Sequence, residues 1–230
     1  MLVLGLVAAP LPQRGVLSDA EWQKIYDRGL TPVEDEPSLP HVLLIGDSIS
    51  VYYTVPTRLL MRRDANVHRI PVNGGNTDFG VKNIDAWLGT RKWDVIHFNW
   101  GLHDLVVKAS GEHAVPLDRY QSNLRQLVKR LKLTGATLIW ASTTPVPDRI
   151  RDGPARHDVD AIAYNRAAAV IMREEGIQID DLYAFALPRL KELQLPDDAH
   201  FRESGSEALA GQVAAAIRNA LAANRGQSQR

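Results

Sequence analysis

From His41 onward the chain sets short unbroken apolar runs between longer stretches whose apolar positions recur every three or four residues. Val42, Leu43, Leu44 and Ile45 form the first run, closed by Gly46, and similar runs occupy residues 67–72, 93–98, 136–140 and 177–179. Runs with no polar alternation suit strands buried on both faces. Between them, Leu117, Tyr120, Leu124, Leu127, Val128 and Leu131 make one helical face, with Asp118 and Gln121 as a capping start and Gly135 as a stop. Two further helices are predicted over residues 158–175 and 203–224. The second carries Leu209, Val213, Ile217 and Leu221 on one stripe, and Ser204 and Glu207 at capping-box spacing. Strand and helix alternate about five times, which predicts a three-layer α/β/α sandwich around a central parallel sheet of about five strands.

Residues 1–40 read differently. They hold five of the 13 prolines, a short helical segment around residues 21–28, and the acidic stretch Glu34-Asp35-Glu36 before Pro37. The expected organisation is an N-terminal extension over 1–40, one domain over 41–224 and a polar tail over 225–230. Residues 2–10 are apolar and end in small residues, but no Lys or Arg precedes them. They read as a remnant of an export signal or as an apolar arm, and export is taken over a cytoplasmic location.

Composition narrows the chemistry. The chain has 230 residues, of which 45% are hydrophobic and 23% charged, so it lies in the ordinary globular range. Lys and Arg number 27 against 27 Asp and Glu, which argues against a nucleic-acid partner held by bulk charge. A local basic cluster, Arg149, Arg151 and Arg156, reads as a solvated loop or as a guide for a ligand. With no cysteine, disulfides, thiolate zinc sites and cysteine nucleophiles are excluded together. No apolar run reaches the ~20 residues of a membrane span.

In a parallel α/β sheet the ligand sits beyond the carboxyl ends of the strands. The first three runs are followed by Gly46-Asp47-Ser48, Asn73-Gly74-Gly75-Asn76-Thr77 and Gly101-Leu102-His103-Asp104, and Asp197-Asp198-Ala199-His200 precedes the last helix. A serine hydroxyl needs an imidazole to take its proton and a carboxylate to hold that imidazole, roles that Ser48, His200 and Asp197 can fill. Donors for the oxyanion would be the Ser48 N–H, the Gly75 N–H and the His103 ring.

These four blocks resemble those of the GDSL-type serine esterases of the SGNH hydrolase superfamily, over about residues 41–222. Gly46-Asp47-Ser48 matches the nucleophile block, Gly75-Asn76-Thr77 the second, and Asp197-x-x-His200 the fourth. That spacing is why Asp197 is preferred over Asp198. The resemblance implies the flavodoxin-like SGNH fold, a triad of Ser48, Asp197 and His200, an oxyanion hole of Ser48, Gly75 and His103, and no metal or cofactor. His103 is a departure, since the family's third block reads Gly-x-Asn-Asp. A neutral imidazole still donates one hydrogen bond, so rate, pH range and substrate shape change before the reaction class does.

The function so implied is hydrolysis of carboxylic esters through an acyl-enzyme, on short-acyl or acetyl esters of a small molecule or carbohydrate. Asp47, Tyr52, Tyr53 and Trp100 are the candidate substrate contacts. The rival readings are a lipid, aryl-ester or thioester hydrolase, an acyltransferase, and a non-catalytic carbohydrate-binding protein on a decayed hydrolase. A metal set of His103, Asp104 and His113 is a further alternative, while His41, His68, His97 and His157 read as structural or surface residues.

Overall fold

The computed structural model describes residues 17–147, 150 and 153–228; the signal-like run and Arg149 and Arg151 lie outside them. After α1 (Asp19–Leu30) the chain enters β1 (His41–Ile45), α2 (Ser48–Met61), β2 (Asn66–Arg69), α3 (Thr77–Leu88) and β3 (Val95–Phe98). It continues through α4 (Leu117–Lys132), β4 (Thr137–Ala141), α5 (Asp158–Glu174) and β5 (Gln178–Asp180). The short α6 (Leu182–Ala186) and α7 (Leu190–Leu193) then lead to the long α8 (Glu203–Ser228).

All five strands are parallel, in the order β2-β1-β3-β4-β5. Val42 to Ile45, Val95, Ile96, Phe98, Ile139 and Trp140 are all buried, because helices cover both faces of the sheet. α2 packs on α8 and α1, whereas α3 packs on α4 and α4 on α5. The expected three-layer sandwich is therefore the observed one. The order reverses at β1, which has β2 on one side and β3 on the other, and a crevice opens at such a point beyond the strand ends.

Element limits shift where local chemistry overrides the pattern. β2 stops at Arg69: Ile70 N–H still bonds the Leu44 carbonyl, but the next acceptor on that edge, the Gly46 carbonyl, is taken by Gly74 N–H from the following turn. Trp93 stays outside β3, its indole N–H donating to the Leu88 carbonyl at 3.0 Å. α4 is capped by Pro116, whose fixed φ presets the first turn, so Asp118 lies inside the helix instead of starting it. Ser204 is likewise inside α8, since Ser206 N–H already bonds the Arg202 carbonyl. Arg225 to Ser228, expected as a tail, extend α8. The buried face of α2 is not a clean apolar stripe, since it includes Ser50, Thr54 and Thr57, and the helix contains Pro56.

Candidate active site

Ser48 opens α2 directly after β1, so its N–H has no helical carbonyl to bond and faces the crevice end of the sheet. Asp47 caps the helix, accepting from Ile49 N–H at 2.9 Å. The turn is fixed from below by Arg69, which sequence reasoning missed. Its guanidinium donates to the Gly46 carbonyl (2.8 Å), the Asp47 carbonyl (3.1 Å) and Ser50 Oγ (3.0 Å), with no carboxylate paired to it among the described residues. Burial lowers its pKa to about 10, so it stays charged at neutral pH. The one available signal was an arginine interrupting an apolar run.

Ser48 Oγ lies 2.9 Å from His200 Nε2, and His200 Nδ1 lies 2.8 Å from Asp198 Oδ1. For Nε2 to receive the serine proton, the ring proton must sit on Nδ1, where Asp198 accepts it. This corrects the expectation of Asp197. Asp198 Oδ1 also accepts from His200 N–H at 2.9 Å, an Asx-turn in which a carboxylate two residues back reaches both the backbone and the ring. Asp197 occupies the left-handed apex of the turn, at φ 54°, one residue too early for that geometry. The loop is closed by backbone bonds from Leu195 N–H to the His200 carbonyl and from Arg202 N–H to the Leu193 carbonyl. Burial works to raise the Asp198 pKa, but its bonds to His200 outweigh that and hold the carboxyl below its usual range.

The second corner is pressed against the first. Gly74 N–H donates to the Gly46 carbonyl at 2.9 Å, and a Cβ on Gly74 would stand 2.8 Å from that oxygen. Gly75 has φ 57°, and its N–H donates to Asn73 Oδ1 at 2.9 Å, so this oxyanion candidate is occupied at rest by a neighbouring amide. Asp104 ties the third corner to the second: Oδ1 accepts from Thr77 N–H (2.9 Å) and Thr77 Oγ1. Its Oδ2 is buried and unpartnered, and burial raises the carboxyl pKa to about 7. His103 has an equally buried, unpartnered Nε2. Burial lowers its pKa, with Arg156 and His200 adding to the effect and Asp47 opposing it, so the ring is neutral at neutral pH.

Of the expected substrate contacts only Tyr52 borders this site, its ring edge-on to His200 at 5.6 Å. Asp47, Tyr53 and Trp100 are each below 5% exposed and must be reassigned. Asp47 serves as the cap, Tyr53 packs on His97, and the Trp100 indole N–H donates to the Gly74 carbonyl. Their spacing from the catalytic blocks was right, but helix and strand phase turned them into the core. The metal alternative dissolves in the same way. His113 pairs with Asp160 at 3.1 Å while Asp104 faces Thr77. Among the described residues, the group with three ligand-type atoms close together is Asp35, His41 and His68. It lies at the opposite end of β1, and Asp35 there is already paired with Arg91.

No family model matches the chain, and no curated protein does. Solved structures with the same fold include the acetyl xylan esterase AlAXEase, at 16% identity and TM-score 0.66, covering 77% of this chain and 99% of that one. A lipase/acylhydrolase from Enterococcus faecalis aligns at 17% identity and TM-score 0.68, over 78% of this chain and 96% of that one. TesA aligns at 19% identity and TM-score 0.61, over 78% and 99%. The likeness is one of fold. The resemblance to SGNH hydrolases carried by the four blocks thus extends to the whole α/β architecture.

Proposed function

We propose that the protein is a serine ester hydrolase, with Ser48 as nucleophile, His200 as general base and acid, and Asp198 as the carboxylate that orients His200. The observation that carries this reading is the chain of contacts from Ser48 Oγ through His200 to Asp198, at 2.9 and 2.8 Å, beyond the carboxyl ends of the strands where the sheet order reverses. Ser48 Oγ attacks the ester carbonyl as Nε2 takes its proton. The oxyanion receives the Ser48 N–H and the neutral His103 ring, and Gly75 N–H once it leaves Asn73. Collapse breaks the acyl C–O bond, and His200 gives the proton to the departing alcohol oxygen. Water, deprotonated by His200, then attacks the acyl-enzyme; the acyl–Oγ bond breaks, His200 returns the proton to Ser48 Oγ, and the acid is released.

The acyl group is short in this reading. The corners around the oxyanion donors carry Asn73, Asn76 and His103, which offer no hydrocarbon wall to a long chain. A structural neighbour named as an acetyl xylan esterase supports a short acyl group. A fluorophosphonate probe tests the assignment: it should label Ser48 and abolish hydrolysis of p-nitrophenyl acetate. An unlabelled, fully folded protein would instead favour a non-catalytic binding role.

A further inference from the structure

α1 lies in the segment that precedes the sheet, and it reaches the candidate active site through aromatic contacts. Trp22 and Tyr26 of α1 pack edge-on against Tyr52, with ring centroids 5.2 and 5.6 Å apart, and Tyr52 packs edge-on against His200. On α2, Tyr52 stands one turn beyond Ser48, and Val55, Pro56 and Leu59 continue the same stripe at helical spacing. Together with Trp22 and Ile25 they wall a groove of about 170 Å³ whose other side is the start of α8, immediately after His200. A cavity of about 150 Å³ accommodates a benzene ring. At the outer end Leu59 is 62% exposed and Leu60 42%, so the groove opens onto apolar surface.

We infer that this groove is the subsite for the alcohol half of the ester, and that it takes an apolar alcohol, an aryl ring or an alkyl chain of about six carbons. The assignment rests on the ester-hydrolase reading above. In that mechanism His200 must reach the departing alcohol oxygen, so the alcohol lies on the side of the nucleophile where His200 and Tyr52 stand, opposite the oxyanion donors. The walls from α1 and α2 are hydrocarbon and aromatic, which suits a chain or ring better than a polyol. A sugar would set several hydroxyls against those walls with no partner there. The polar side chains, Glu203, Ser206, Glu207 and Arg28, come from α8 and the end of α1.

The test compares acetate esters of ethanol, butanol and hexanol with p-nitrophenyl esters of increasing acyl length. Catalytic efficiency should rise along the alcohol series by about three- to fourfold per methylene over the first carbons, as for hydrocarbon leaving water, and should fall or stay level along the acyl series. Leu59→Lys and Val55→Asn, checked for folding by circular dichroism, should bring the hexyl-to-ethyl ratio close to one. Hydrolysis with a flat alcohol series would overturn the subsite while leaving the esterase reading intact. A gradient confined to the acyl series would overturn it too, as would an acetylated sugar turned over faster than hexyl acetate. A concentration-dependent dimer lost in Leu59→Lys, with the series flat, would give the face to a second copy of the chain. Loss of all hydrolysis together with no fluorophosphonate labelling would overturn the ester-hydrolase reading itself.

Discussion

Two of the molecule's histidine–aspartate pairs have similar contact distances and opposite surroundings. His200 and Asp198 meet at 2.8 Å with side chains 35% and 41% exposed, and Ser48 lies on the far side of the imidazole. His97 and Asp180 meet at 3.0 Å with both side chains fully buried, Gln212 holding the other carboxylate oxygen and the second ring nitrogen unpartnered. The first pair ends on the Ser48 hydroxyl, and the second links β3, β5 and α8 inside the core. A hydrogen-bonded His–Asp pair is therefore no signature of catalysis. What separates the two is a serine hydroxyl on the remaining nitrogen and an opening to solvent.

The comparison breaks most sharply at the nucleophile. Ser48→Ala and His200→Ala should each lower kcat for p-nitrophenyl acetate by at least about 10⁴-fold, and the double variant should be little worse, because the two act as a unit. Wild-type turnover in Ser48→Ala would end the assignment. Next comes the carboxylate: Asp198→Asn should cost roughly 10²–10⁴-fold in kcat by losing the charge that holds and stabilises the imidazole, while Asp197→Asn stays within a few-fold. The reverse ranking would restore the family spacing.

His103→Ala should cost about 10²–10³-fold in kcat with a smaller change in KM, and His103→Asn should recover much of it. Burial holds the His103 pKa below its usual ~6.5, so any inflection it adds falls on the acid side of that value. That inflection should vanish from the kcat–pH profile of the Asn variant. The smallest effect on turnover belongs to the buried pair. His97→Leu should leave kcat/KM of the folded protein within about twofold yet lower unfolding stability by about 1–3 kcal/mol, measured by urea titration, because Asp180 Oδ2 is left buried without its hydrogen-bond partner. A collapse of kcat at full stability would make this pair part of the chemistry.

The sheet was legible because its strands are buried on both faces and so read as mainly apolar runs, and because parallel strands demand crossovers. The corner motifs were legible for a related reason: glycine and polar residues directly after such a run have few places to be except the crevice. Phase was harder to read. Tyr52 and Tyr53 are adjacent, yet one borders His200 and the other packs on His97, a difference fixed by where α2 starts. The Asp197–Asp198 choice turned on a single left-handed residue, which a spacing rule does not register. Arg69 acts from a neighbouring strand through backbone carbonyls, and carbonyls leave no mark in a sequence.

The bond from Gly75 N–H to Asn73 Oδ1 sets a threshold for inhibitors. A neutral ester carbonyl is no better an acceptor than the amide oxygen it would have to displace, so the resting substrate gains nothing at this donor. An oxygen carrying full negative charge is roughly twice as strong a partner and wins the exchange. The donor thus engages only as charge develops, which places its contribution in the rate rather than in substrate affinity. Boronates and phosphonates, which present a tetrahedral anion, should therefore outrank uncharged ketone analogues of the same shape by a wider margin here than in a site whose amide stands open, and Asn73→Ala should narrow that margin from the ketone side.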